Sequence, residues 1–323
     1  MDIRQLRYFL AIVEHGSFSR AAAVLHVAQP ALSLHVRNME ADLGTPLLVR
    51  SPRGVVPTDA GVILVRNARI ILDQLAIAED EIRQHENDPS GEVRLGLPGT
   101  ISQILAVPLV KAMRHKYPKI KLRIAEAMSG FILDWMRESK VDLAVLYGHV
   151  SDHSVESVHL LEERLCFFGP ADLGQTTEVP PQGEPIPFAD LARMPLILPG
   201  ESHGLRELLV RQAAAAGLLL NTVIDVDSYG NIKELVHQGL GCSVLPEYAV
   251  ADEIARGRLC GWKIVDPEIR RTVYLAHSIE RPQTNAVAAV RRTIRELLPE
   301  LVRSGSWSGA RILETALEDP AAT

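Results

Sequence analysis

The sequence is short of cysteine, with three in 323 residues. Cys166, Cys242 and Cys260 form no C-x-x-C pair and cannot all pair with one another. Neither a disulfide framework nor a zinc site is indicated, and the three read as buried small apolar side chains. Also missing is any uncharged apolar run of about 18 residues, so no membrane span and no membrane partner is expected. The N-terminus MDIRQLRYFL lacks the basic, apolar and small-residue succession of a signal peptide, and a cytoplasmic location is the expectation. Catalytic signatures are absent too: there is no G-x-S-x-G, no H-E-x-x-H, no glycine-rich phosphate loop and no pair of catalytic carboxylates. Ser202 stands next to His203, but neighbours in sequence seldom face one another as nucleophile and base. No enzyme activity, metal or cofactor is therefore expected.

What is present is enough for a core. Hydrophobic residues make up 47% and charged residues 23%, and the length fits two or three domains. The net charge of −6 is unevenly spread. Residues 1–57 hold six arginines (Arg4, Arg7, Arg20, Arg37, Arg50, Arg53) against four acids (Asp2, Glu14, Glu40, Asp42), a balance of +2 that leaves −8 for the rest. A basic end on an acidic body is the electrostatic mark of a nucleic-acid-binding segment.

Apolar spacing predicts a train of short helices at the start. Ile3, Leu6, Leu10 and Val13 form one stripe that stops at Gly16. Ser19 is expected to cap a second helix, SRAAAVLH, whose alanines let another helix approach. In the third, Leu32, Val36, Met39 and Leu43 face a core, and Pro30 suits a first turn. Gln29, Pro30, Ser33, Leu34, Arg37 and Asn38 fall on its other side. TPLLVRSPRGVVPT then reads as a hairpin with Ser51–Gly54 at its tip. Thr58 caps a long helix to about His85, in which Val65, Ala68, Leu72, Leu75 and Ile82 follow a 3, 4, 3 spacing broken by Glu79, a seam along which two copies zip together. ENDPSG ends it at Pro89 as a hinge. From Val93, short β-like runs (93–97, 120–124, 141–148, then 196–198, 222–226, 242–246) alternate with amphipathic helices, with a Pro-rich passage from Val179 to Pro199 between the two series. This predicts an α/β region with a largely parallel sheet, in two lobes.

Three helices and a hairpin are the winged helix-turn-helix arrangement, in which the third helix lies in the major groove. There Gln29 pairs with adenine, Arg37 with guanine or phosphate and Ser33 with several partners, while Pro30 and Leu34 meet a thymine methyl. Arg50 and Arg53 flank the wing tip, placed to neutralise phosphates. For Arg50 a second reading stands beside this one, in which its stem packs on the LLV run and its head pairs internally.

Gly16 to Gly61 resembles the DNA-binding segment of LysR-type transcriptional regulators. The shared pattern is met at Ala21, Ala22, Leu25, Gln29, Pro30, Ala31, Leu32, Ser33, Val36, Glu40, Leu43, Gly44, Leu47 and Arg50. Ala28 departs from it, removing a capping hydroxyl, as do Met39 and Leu48. LRYFLAIVEHGS with VRSPRGVVPTDAG is similar to the nitrogen assimilation control subgroup. The resemblance implies an all-α winged helix-turn-helix (1–58), a long linker and dimerisation helix (59–87), a hinge (88–92), and a two-lobed periplasmic-binding-protein-like effector domain (93–303). Lobe I would span about 93–164 and 267–303, lobe II about 165–266, and a tail 304–323 would begin with a flexible Ser/Gly stretch and end in a short helix. It further implies promoter DNA, a small effector, a homodimer or homotetramer, and RNA polymerase as partners. Independently, Thr100, Ile101 and Ser102, Ser129 and Gly130, and Ser202, His203 and Gly204 stand at three helix starts, whose free N–H groups and positive dipole ends suit an anion. Ordinary N-caps are the other reading of each. A thiol-based redox switch is the rival within the family, and a binding protein or enzyme without DNA function the rival outside it.

Overall fold

The computed structural model describes residues 1–51, 54–83, 89–148, 152–176, 179–281 and 283–313. The chain opens with α1 (Ile3–His15), α2 (Phe18–Leu25) and α3 (Gln29–Leu43). Asp2 starts α1 through a capping box with Gln5, and Gly16 closes it in the left-handed region. The cap of α2 is Ser17, two residues before the expected Ser19: its hydroxyl accepts from Arg20 N–H, because the left-handed Gly16 turns the chain immediately ahead of it. α3 begins with no side-chain cap at Ala28 and with Pro30 in its first turn, where a missing N–H is no loss. Leu32, Val36 and Met39 are buried as expected, but Leu43 is 47% exposed, because the helix outruns its core by a turn.

β1 (Leu48–Ser51) and β2 (Gly54–Pro57) form the antiparallel wing, with Ser51 opposite Gly54. Glu40 fixes its entry, accepting the N–H groups of Leu47 at 2.8 Å and Leu48 at 3.2 Å. Gly54 lies at φ +113°, and a Cβ there would come within 2.5 Å of the Gly16 carbonyl that Val55 N–H binds, so wing and α1 are stitched together.

α4 (Asp59–Arg83) follows, its first turn capped by Thr58, whose Oγ1 accepts from Gly61 N–H at 3.0 Å. Val65 and Ala68 pack with Leu6, Phe9, Met39 and Leu47 in the N-terminal core, and Leu72 lies partly buried against it. The first half of the expected dimer seam is thus consumed inside the chain. The expected hinge lies partly outside the described residues, and β3 already begins at Gly91.

The remainder is β3 (Gly91–Leu97), α5 (Gly99–Lys116), β4 (Ile120–Glu126), α6 (Ser129–Arg137), β5 (Leu143–Tyr147), β6 (Val155–Pro170), β7 (Ile186–Pro187), α7 (Phe188–Leu191), β8 (Leu196–Leu198), α8 (Gly204–Ala215), β9 (Thr222–Asp225), α9 (Tyr229–His237), β10 (Ser243–Pro246), α10 (Glu247–Ala255), β11 (Leu259–Val265), β12 (Arg270–Ser278), α11 (Asn285–Arg303) and β13 (Ala310–Ile312). The sheet runs β4-β3-β5-β12-β6-β11-β7 and is mixed, not largely parallel. β4, β3 and β5 are parallel, while β12 is antiparallel to both β5 and β6, and β6 is antiparallel to β10 and β11. β6 carries the architecture. Its residues 155–164 pair with β12 over a core from Val93 to Trp307, and 165–170 pair with β10 and β11 over a second core from Leu165 to Ile269. The tail is ordered where flexibility is expected: Trp307 is buried and Ala310–Ile312 pairs with β6. The helix expected at its end falls beyond the described residues.

Candidate DNA-binding face and effector cleft

On α3, Gln29, Pro30, Leu34, Arg37 and Asn38 are exposed and Ser33 is half-buried, on the side opposite Leu32, Val36 and Met39. Gln29 Nε2 donates to Ser33 Oγ at 3.2 Å across one turn, which holds the amide in place along the helix. Leu34 is 54% exposed, forgoing part of the roughly 1.5–3 kcal/mol that burying a leucine supplies. An apolar contact such as a thymine methyl recovers it. Arg50 stands in β1 opposite Val55, and its side chain, like Arg53, lies outside the described residues.

Between the lobes is a cavity of about 610 Å³. Four helices begin on its wall: α5 with Thr100, α6 with Ser129 and Gly130, α8 with Ser202, His203 and Gly204, and α9 with Tyr229 and Gly230. Six of the eight residues expected at an effector site therefore line it, and the start of α9 joins them. Ile101 and Ser102 do not. Each helical residue turns 100° from the last, so Thr100 and Gln103, three apart, share the cavity face while Ile101 points into the lobe I core.

The centre of the site is a residue that the sequence pattern did not mark. Arg271 on β12 lines the cavity yet is 5% exposed, and its Nε donates to Oε1 of the fully buried Glu163 at 2.5 Å. Its guanidinium carbon sits 3.4 Å over the Tyr147 ring. Burial works against its charge, but Glu163 and then the tyrosines outweigh that and hold it above its ordinary range. Its terminal nitrogens are buried: Nη2 is ion-paired to Glu163 Oε1 at 2.5 Å, and the Tyr229 phenol hydrogen-bonds the guanidinium. Around it Thr100 Oγ1 and Tyr147 Oη lie 2.7 Å apart, and Tyr147 Oη and Tyr248 Oη 3.3 Å. Burial pushes both phenols up, so they stay neutral donors.

His203 completes the set. Burial, then the positive charge of Arg271, pulls its pKa down to about 4. Nδ1 accepts from Leu205 N–H at 3.1 Å, which leaves the ring proton on Nε2 and makes the neutral imidazole a donor. A histidine depressed in the folded state resists protonation there, so stability falls as pH drops from about 6.5 towards 4. Urea melts of His203→Gln across that window are expected to show a weaker pH dependence than the parent; identical slopes would contradict it.

All three cysteines are buried, and burial pushes the Cys166 thiol up to about 12. A reactive thiolate needs a partly exposed, basic setting.

Two arginines, Arg69 by hydrogen bonds and Arg281 by ion pairs, tie α4 to lobe I. Arg69 Nη2 meets Glu14 of α1 at 3.2 Å, while its Nη1 donates to the carbonyls of Glu138 and Ser139 at the end of α6. Burial, then nearby Arg94, draws the Arg69 pKa down to about 10. Farther along, Arg281 holds Asp73 of α4 at 3.0 Å through Nε, and Asp142 at 2.7 Å. α6 thus starts at the cleft and ends on the linker helix.

The fold and its two sites define a DNA-binding regulator with a ligand-binding domain. The family of bacterial regulatory helix-turn-helix proteins of the lysR type matches residues 3–62, and the LysR substrate binding domain matches residues 86–299. The chain belongs to the LysR family: it is a DNA-binding transcriptional regulator with an effector-binding domain, not an enzyme. The nitrogen assimilation regulatory protein nac of Escherichia coli (strain K12) is 33% identical over 94% of this chain and 96% of its own. A hydrogen peroxide-inducible genes activator of Pectobacterium carotovorum is 30% identical over 92% and 96%. Among solved structures, a full-length OxyR variant from Pseudomonas aeruginosa superposes with a TM-score of 0.76 at 26% identity, covering 91% of this chain and 95% of that one. Full-length CbnR complexed with its target DNA shares the fold at a TM-score of 0.61 and 23% identity, over 92% and 99%. Among the described residues, no helix is long and apolar enough to cross a membrane.

Proposed function

We propose that the chain reads promoter DNA in the cytoplasm as a homodimer, with pairs of dimers as the larger assembly, and answers to a small anionic effector held by Arg271. The observation that carries the effector class is Arg271: a buried guanidinium in the wall of the cavity on which four helices start. Gln29, Pro30, Ser33, Leu34 and Arg37 supply the base-reading surface, with Arg50 and Arg53 on phosphates. The dimer seam shifts one stripe round α4 from Val65 and Ala68. It follows Ile63, Ile71, Leu75 and Ile82, of which Ile63, Ile71 and Ile82 are 57%, 41% and 82% exposed.

In this reading the effector changes the relative population of protomer arrangements and so the bend or spacing of the bound DNA, which RNA polymerase then senses. Nothing at the buried cysteines favours a redox switch over this. In-vitro selection of bound genomic fragments, with and without a panel of carboxylate metabolites, tests both halves. Paired half-sites spaced by whole turns of DNA, in a pattern that a carboxylate alters, are the expected result. Single half-sites would remove the dimer, and indifference to every anion would remove the effector class.

A further inference from the structure

Behind the cleft lies a segment beyond the matched family region, which ends at residue 299. After α11 the chain turns back, and β13 adds antiparallel to β6 with Ala310 opposite Glu163 and Ile312 opposite Leu161. Gly309 makes the turn possible: φ is +76°, a Cβ would press on Glu247 at 3.1 Å, and its carbonyl accepts the N–H of Arg164 at 3.0 Å. The strap crosses β6 at the point where that strand passes from one lobe's core to the other's.

It delivers one side chain to the interior. Trp307 is 1% exposed, and its indole N–H donates to Oε2 of Glu163 at 3.2 Å. The other oxygen of that carboxylate, Oε1, is the one that holds Arg271. The Trp307 ring also stands edge-on to Tyr248, at 5.9 Å between centroids and 76°. Tyr248 in turn touches Tyr147, the ring beneath the guanidinium. The back of the effector cation is therefore built by residues of the strap.

We propose that Trp307 is a positioning residue for the effector anion. Its N–H sets the plane of the Glu163 carboxylate, and that plane sets the tilt of the Arg271 guanidinium, which meets Oε1 through Nε and Nη2, in the cavity wall. A carboxylate with both oxygens engaged has one orientation; with one engaged it rotates, and the fork it holds rotates with it. This rests on the reading of Arg271 as the anion's partner.

The test uses the full chain and sulfate, an anion with no carbon frame to add other contacts, titrated by calorimetry. Trp307→Phe keeps the ring and removes the N–H, and its sulfate dissociation constant is expected to rise about tenfold. Trp307→His, which restores a ring N–H, recovers part of the loss. Combined with Arg271→Gln, Trp307→Phe adds nothing further, as two groups acting in one chain require. The Arg271 Nε–H resonance gives a ligand-free readout: it is expected to shift and exchange faster in Trp307→Phe. Sulfate affinity and this resonance both unchanged in Trp307→Phe, with affinity lost in Arg271→Gln, would overturn the role of Trp307 alone. Sulfate that binds Arg271→Gln as well as the parent, or binds neither, would overturn the anion reading beneath it.

Discussion

Arg271→Met is expected to destabilise the effector domain by about 3–5 kcal/mol and to abolish its response to the effector, the stability loss arising because Glu163 is left buried and unpaired. Glu163 has no exposed surface, and the remaining bond from Trp307 does not neutralise a carboxylate. The double variant Arg271→Met with Glu163→Gln separates the two effects. It removes both charges, so most of the stability returns, while the effector response stays lost because no cation faces the cavity. Chemical denaturation and effector titration on the same preparations check it. A double variant that regains the response would show that the helix starts alone hold the ligand.

Arg69→Met is expected to leave DNA binding and effector binding each nearly intact while removing the link between them. Coupling in such systems is typically about 5–150-fold in affinity, and here it should fall towards one. The reason is geometric. α6 begins at the cavity with Ser129 and Gly130, and the carbonyls of Glu138 and Ser139 just past its end rest on Arg69, which also grips Glu14 of the DNA-binding unit. Any effector that shifts α6 shifts the partner of Arg69. DNA affinity measured with and without effector decides: an undiminished ratio in Arg69→Met would route the signal elsewhere.

How much of this was legible in the sequence follows from how each residue meets its surroundings. The N-terminal helices have one buried face and glycine stops at Gly16 and Gly44, so spacing alone outlined them. α4 is apolar on two sides: the regular spacing of Val65, Ala68 and Leu72 marks the face turned to its own core, and the expected seam meets the exposed stripe of Ile63 and Ile71 only at its far end, at Ile82. β6 escaped because Glu162, Glu163 and Arg164 sit mid-strand, a run that reads as solvated although Glu163 is fully buried. Arg271 was hidden the same way: beside Arg270 it looks like half of a surface pair, whereas alternation along β12 turns one arginine outward and the other into the cleft. The helix-start residues were visible because small and hydroxyl residues mark where helices begin, although of the residues expected there His203 alone caps with its side chain, and α5 and α6 start at Pro98 and Met128 with no side-chain cap. Their convergence, and the cation at its centre, depend on strand pairings far apart in the chain.

β6 leaves the molecule with an unusual mechanical property. Two lobes that share one strand and are joined again by the short passage from β11 to β12 have two passes of chain side by side between them, so any change in the angle between the lobes must twist both. β13, paired with Leu161–Glu163 beside that crossing, stiffens it against such a twist.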